Sequence, residues 1–360
     1  MRCSQLICVF SVLALSAAVV ACGNKDDGGK KKKNRQPPPT TTAAVDAAVK
    51  IAPTPPAKLS GAQIVALMDG LSGVMSPLDP GKLAGFYTPG AAYVVEGSGK
   101  TVTGGGKIAG YYRDFLAAFP GMKIDQLLLL VNGQRAALVY RARGTNSKPM
   151  MGINPTNKKV SFTVYEHLDF ADGRIDRVLG YADNLDFLGQ LGVYKGRYRK
   201  YDGKPSPDRI AVVAKGDDAE RENMAVATKL KDYFNAKDVK AAAALYAKDA
   251  VVVDPLLSSE DIKGHNAIRA ALGRFRKAFA DANLSELKAW AAGNYVTARF
   301  RLTGSHTGRY QRLGLNKTGK RIGLDVAMVL RIDKGKIARQ WVFADAAELA
   351  HQLGALKLNQ

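Results

Sequence analysis

One closing signature occurs twice in this chain, 162 residues apart. The first copy reads Gly173-Arg174-Ile175, Tyr181-Ala182-Asp183 and Gln190-Leu191-Gly192. The second reads Gly335-Lys336-Ile337, Phe343-Ala344-Asp345 and Gln352-Leu353-Gly354. A repeat of that length is a whole domain, so the chain has to build one fold twice rather than one large core. The same offset holds upstream, at Gly152 and Gly314, Asn154 and Asn316, Thr156 and Thr318, and Lys158 and Lys320.

Each copy runs through the same order of hydrophobic periods. In copy one, Ile64, Leu67, Met68, Leu71 and Met75 recur at helical spacing over 63–75. A short helix is expected at 81–87 and a strand at 91–96. Thr103-Gly104-Gly105-Gly106 then leads into a helix at 108–119. Strand-like runs follow at 123–131, 136–143, 160–170 and 174–182. Copy two repeats the order, with helices near 221–234, 238–246 and 267–279 and strands near 250–254, 283–291, 296–303, 321–332 and 336–343. It is about two residues longer in the hairpin around 303–314, where an insertion is tolerated. Helices followed by long antiparallel strands make an α+β fold, not a βαβ one. The expected domains are 58–193 and 220–360, joined by a basic connector at 194–219.

The amino terminus reads as an address. Met1-Arg2 is basic, 6–21 is apolar and short, and the run closes Val19-Val20-Ala21-Cys22-Gly23. That ending resembles a bacterial lipobox, which implies a signal peptide at 1–21 and an acylated Cys22 as the first mature residue. An ordinary signal peptide or an uncleaved anchor holding a cysteine remains the alternative. Residues 22–57 carry Lys30 to Lys33, Pro37 to Pro39 and Thr40 to Thr42, a composition that cannot bury a core and suits a tether. The three cysteines, Cys3, Cys8 and Cys22, leave no disulfide for the folded part. By the same resemblance, Gly23 rather than Asp after the cysteine implies an exported protein, lipid-anchored in the cell envelope and facing the periplasm from the outer membrane in a Gram-negative host.

The element order resembles the nuclear transport factor 2-like cone, and the closing signatures resemble the SnoaL-like polyketide cyclase group within it. In copy two the residues that carry this are Gly335-Lys336-Ile337, Arg339, Trp341, Asp345 and Gln352-Leu353-Gly354. In copy one they are Gly173-Arg174-Ile175, Arg177, Leu179, Asp183 and Gln190-Leu191-Gly192. The resemblance covers nearly all of 60–193 and 220–356 and implies two tandem cones, each of three helices on a curved antiparallel sheet. It also implies that Asp183 and Asp345 stand where the cyclases place an acid/base aspartate. Relatives of this fold often pair through their sheets, so the two copies are expected to form an intramolecular pseudo-dimer.

Strand alternation places Ile337, Arg339, Trp341, Phe343 and Asp345 on one face, and Ile175, Arg177, Leu179, Tyr181 and Asp183 on its counterpart. A carboxylate among such walls loses solvation and its pKa rises, as a proton carrier requires. An aspartate between a strand and a helix is also an ordinary helix cap, and Glu348 after Asp345 completes a capping-box pattern. Both roles stay open. Arg177 and Arg339 stand where many relatives carry glutamate, and either would hold a nearby aspartate ionised or bind an anionic group. On the strand before, Phe162, Val164, Glu166, Leu168 and Phe170 share a face, and Met328 takes the place of Glu166 in copy two. Asp254, before Pro255, suits a turn.

Ligand-binding candidates are therefore Glu166, Arg177, Tyr181, Arg339, Trp341 and Phe343, for a small apolar or carbonyl-bearing ligand. The expected activity is binding without catalysis; the alternative is a cyclase or isomerase using Asp183 or Asp345. No cofactor or metal is expected, because the four histidines are scattered and the glycine run at 104–106 lacks the spacing of a phosphate loop. A net charge of +21 raises nucleic acid as a partner. Export points instead to a membrane or envelope polymer, and no nucleic acid is expected.

Overall fold

The computed structural model describes residues 58–150 and 152–356. The expected signal peptide, Cys22 and the tether lie outside the described residues. In the first copy, α1 (Gly61–Met75), α2 (Pro80–Ala84), β1 (Tyr87–Val95), β2 (Lys100–Thr103) and α3 (Gly105–Ala117) precede the long strands. These are β3 (Lys123–Asn132), β4 (Arg135–Thr145), β5 (Lys159–Ala171) and β6 (Arg174–Ala182), closed by α4 (Asn184–Leu191). After β7 (Ile210–Val213), the second copy repeats the order. It contains α5 (Asp218–Asn235), α6 (Val239–Ala244), β8 (Tyr246–Val253), β9 (Ile262–Lys263) and α7 (His265–Ala278). Then come β10 (Asn283–Ala292), β11 (Tyr295–Ser305), β12 (Arg321–Asp333), β13 (Lys336–Phe343) and α8 (Ala346–Gln352).

The sheets have the orders β2-β1-β6-β5-β4-β3-β7 and β10-β11-β12-β13-β8-β9. Apart from β7 they are the same sheet, antiparallel except where the first strand of each copy lies parallel to its last. Local chemistry sets the ends of the elements. Ser60 and Gln63 form a capping box that starts α1. Gly104 and Gly264 open α3 and α7 at φ of 94° and 84°, a conformation glycine takes without steric cost.

Each sheet curls around its helices to enclose a core. Ile64, Met68, Ile108, Leu168 and Ile175 fill the first cone. Ile268, Phe275, Val326, Met328 and Ile337 fill the second. A third apolar cluster lies between the two sheets and draws on both copies, with Leu128, Leu130, Val139 and Tyr165 from one and Trp290, Tyr295, Val329 and Phe343 from the other. Tyr165 Oη and Thr297 Oγ1 share a buried hydrogen bond of 2.7 Å across this contact.

Three local expectations need correction, the first being the helix expected near 238–246, which ends at Ala244 because Tyr246 opens β8. The helix expected at 81–87 ends at Ala84, because Tyr87 already belongs to β1. The connector expected at 194–219 is not a free spacer. Its residues 210–213 form β7, which pairs parallel with β3 from Leu128↔Ile210 to Val131↔Val213. Upstream of β7, the Arg199 amide donates to Asp186 at 2.8 Å and its guanidinium to Asp261 at 2.8 Å. The run Ile210-Ala211-Val212-Val213, three of whose four residues are β-branched, satisfies a sheet edge that would otherwise stay open.

Candidate functional site

The interior of the first cone converges on one carboxylate. Glu166 points inward from β5 beside Val164 and Leu168, the face expected from alternation. Tyr93 of β1, Tyr112 of α3 and Tyr140 of β4 all donate to its Oε1, at 3.0, 2.8 and 3.1 Å. Burial raises the Glu166 pKa, while the three tyrosine hydroxyls hold it down. A small cavity of about 30 Å³ adjoins it, bounded by Tyr87, Tyr112, Tyr140, Leu71 and Met75.

The second cone has different contents. Matching strand registers put Val252 where the first cone has Tyr93, Phe300 where it has Tyr140, and Met328 where it has Glu166. Counting from the paired glycines Gly104 and Gly264, Leu272 takes the place of Tyr112. All three hydroxyls that bind Glu166 disappear together with the carboxylate. What remains is a cavity of about 80 Å³ whose walls include Leu230, Phe234, Leu272, Phe300, Met328 and Val342. Its polar and charged lining residues are Asp254, Tyr246, Gln340 and Lys231.

Asp254 sits just past the end of β8 and does make the expected turn, accepting the amides of Leu256 at 2.8 Å and Leu257 at 3.3 Å. It also borders the cavity, and burial pushes its carboxyl up to about 6 against those two donors. Tyr246 Oη donates to Gln340 Oε1.

The shared face expected along the last strands is broken. Arg331 pairs with Arg339 but Ile332 with Ile337, so Ala338 is a bulged residue in β13. Asp176 is its counterpart in β6, between Arg177 and Ile175. One extra residue reverses the alternation. Ile175 and Ile337 therefore face the cones, whereas Leu179, Tyr181, Trp341 and Phe343 face the contact between the copies. Phe343 packs against Tyr165 with ring centroids 5.4 Å apart. The Arg339 guanidinium lies 5.0 Å from the centre of the Trp341 ring. Arg339, Trp341 and Phe343 line a cleft of about 500 Å³ between the copies, together with Asp183 and Lys200. Arg177 is exposed and stands opposite Asp169. Of the six ligand-binding candidates, only Glu166 projects into a cone.

Asp183 and Asp345 are N-caps. Asp183 accepts the Leu185 amide at 3.0 Å, and Asp345 accepts those of Ala347 and Glu348 at 2.9 and 3.3 Å. Each also reaches the other copy: Asp345 Oδ2 accepts from Asn184 Nδ2 at 2.5 Å, and Asp183 Oδ1 from the Ala346 amide at 3.3 Å. Burial pushes Asp345 up to about 6, against the Asn184 and backbone donors. Burial and the neighbouring Asp186 carboxylate hold Asp183 well above the usual range. The rise expected from desolvation occurs, and its source is the packing of the two copies, whose shared cleft Asp183 also lines. Neither Arg177 nor Arg339 holds these aspartates ionised. The arginine acting on Asp183 is Arg312, which pairs with Asp186 at 3.0 Å.

Sequence reasoning did not single out Tyr93, Tyr112, Tyr140, Asn184, Arg312 or Gln340. Comparing the two copies position by position would have flagged the tyrosines, since three of them change with Glu166. Among the described residues, no cluster of His, Cys, Asp or Glu has the arrangement of a metal site.

The family whose model matches is described as SnoaL-like polyketide cyclase, and it matches twice, over residues 68–191 and 224–353. No curated protein matches the chain. Among solved structures the chain is similar to AclR from Streptomyces galilaeus, at 22% identity over 38% of this chain and 99% of that one, with a TM-score of 0.34. It is similar to TsrD from Streptomyces laurentii at 22% identity over 38% and 97%, with a TM-score of 0.34. For IdmH from Streptomyces antibioticus the values are 20%, 37%, 98% and 0.32.

Proposed function

The chain belongs to the SnoaL-like polyketide cyclase family, and from that premise we propose that its second cone binds a small, largely apolar, carbonyl-bearing ligand without turning it over. The observation that carries this reading is the cavity of about 80 Å³ whose apolar walls border one buried carboxyl, Asp254. A carboxyl whose pKa is raised to about 6 keeps a protonated fraction able to donate to a carbonyl oxygen. The apolar walls supply the hydrophobic contact, and few polar groups set the orientation. Absence of turnover is supported by Asp345, both of whose oxygens accept hydrogen bonds from Asn184 and the α8 amides, and by the cap role of Asp183 Oδ1.

Native mass spectrometry of the lipid-free chain, exposed to an extract of apolar metabolites, tests this. Retention of a carbonyl compound of unchanged mass is expected, with loss of retention on Asp254→Leu. An extract component chemically converted by the wild type and not by Asp254→Asn would replace this reading with an enzyme. That second reading, a cyclase or isomerase, draws on the same raised Asp254 pKa, which suits a proton carrier at a carbon beside a carbonyl.

The placement of this binding unit is part of the proposal. Cys22 carries the lipid, residues 22–57 act as the tether, and the cones face the periplasm from the outer membrane of a Gram-negative host. No helix among the described residues is long and apolar enough to cross a membrane. Labelled palmitate should enter the wild-type protein and not Cys22→Ala, and the variant should leave the membrane fraction.

A further inference from the structure

The function proposed above makes no use of the first cone. Its interior differs from the second at four equivalent positions that change as a set: Tyr93 to Val252, Tyr112 to Leu272, Tyr140 to Phe300 and Glu166 to Met328. The second cone shows that the fold closes around aliphatic and phenylalanine side chains at these places. A carboxylate with three hydroxyls on it is therefore not something the architecture requires.

The arrangement has a chemical signature. The three tyrosine O–H groups all converge on Oε1 of Glu166, so they solvate the ionised form in place of water. Glu166 is 4% exposed, and no ion pair to a lysine, arginine or histidine is formed with it among the described residues. An anion so placed lacks a cation. The cavity beside it is walled by the aromatic side chains of Tyr87, Tyr112 and Tyr140. Tyr93 and Tyr112 meet edge to face at 5.7 Å. Ser72, Met75 and Gln126 border the same cavity and are partly exposed, which gives it a mouth between α1 and β3. A volume of about 30 Å³ exceeds the roughly 10–15 Å³ that one water needs by the same measure, and is too small for a bulky ligand.

We propose that the first cone is a binding site for a small organic cation of the alkylammonium class, with Glu166 as its counter-charge and Tyr87, Tyr112 and Tyr140 as its aromatic walls. A carboxylate plus aromatic faces is the chemistry that recognises such cations in preference to hydrated metal ions. The cavity size favours methylammonium over tetramethylammonium.

Isothermal titration of the full mature chain in detergent, with methylammonium chloride against a sodium chloride background of equal ionic strength, tests the site. Saturable one-to-one binding is expected, with tetramethylammonium at least tenfold weaker. Glu166→Gln and Glu166→Met, the latter taking the residue of the second cone, should each reduce affinity at least tenfold. Circular dichroism and thermal unfolding of both variants guard against misfolding. No saturable heat from folded wild-type protein would overturn the proposal, and so would equal affinity in a folded Glu166 variant. The outcome is independent of the second cone, so Asp254→Leu should leave methylammonium binding unchanged.

Discussion

Asn184 Nδ2 donates to Asp345 Oδ2 at 2.5 Å, joining the first turn of α4 to the cap of α8 across 161 positions of chain. The reciprocal bond, from the Ala346 amide to Asp183 Oδ1, makes the link nearly two-fold. The strongest repeat in the sequence thus marks the place where the copies hold each other. Asn184→Leu leaves the buried Asp345 oxygen without its side-chain donor. It should lower unfolding free energy by about 1–3 kcal/mol, read from urea denaturation, with the circular dichroism spectrum unchanged.

Asp254 should make stability depend on pH in a defined direction. Its folded pKa is about 6, above the unfolded value near 3.9. A raised folded value means that the neutral carboxyl is favoured by folding. The contribution is complete below the unfolded pKa and is lost as pH rises through about 6. The loss amounts to about 2 kcal/mol between pH 4 and neutrality. Asp345 shifts the same way, so Asp254→Asn should remove only part of the decline. Chemical denaturation of both proteins at pH 4.5 and pH 7.5 measures this, and equal pH slopes would contradict the assignment.

Arg312 is the buried tie between the copies. Its side chain is 1% exposed, and it pairs with Asp186 of α4 while donating to the carbonyls of Pro255 and Arg197. Removing one member of a buried pair strands the other, so Arg312→Met should cost about 3–5 kcal/mol. Arg312→Met with Asp186→Leu should recover part of that loss, since the stranded carboxylate is gone. A double-mutant cycle by urea unfolding gives the coupling.

Phe343 faces Tyr165 of the other copy inside the cluster between the sheets. We expect the two copies to unfold as one unit through this contact, and Phe343→Ala to cost about 3–5 kcal/mol. Calorimetry should show a single transition in the wild type. Two separated transitions there would mean that the copies fold independently.

The repeat, the order of elements and the inward face of β5 were legible because each rests on a local period, and the copies confirm one another. Glu166 was placed correctly by counting alternate residues. The same count failed in β6 and β13. There, Asp176 and Ala338 insert one residue each and swap the faces of Arg177, Tyr181, Arg339, Trp341 and Phe343. Hydrophobicity gave no warning, since both faces of these strands are buried, one in the cone and one against the other copy. Residues 210–213 were hidden for a related reason: a short, largely β-branched run inside a basic connector becomes a strand only when β3 offers it an edge.

The sequence by itself determined that there would be two cones of one α+β fold, and that their interiors would differ at Glu166 and Met328. Only the tertiary structure decided what the repeated aspartates do. A carboxylate's role depends on the donors and charges within a few ångströms, and those come from Asn184, Ala346, Asp186 and Arg312, residues brought together by the docking of two domains that no local pattern encodes.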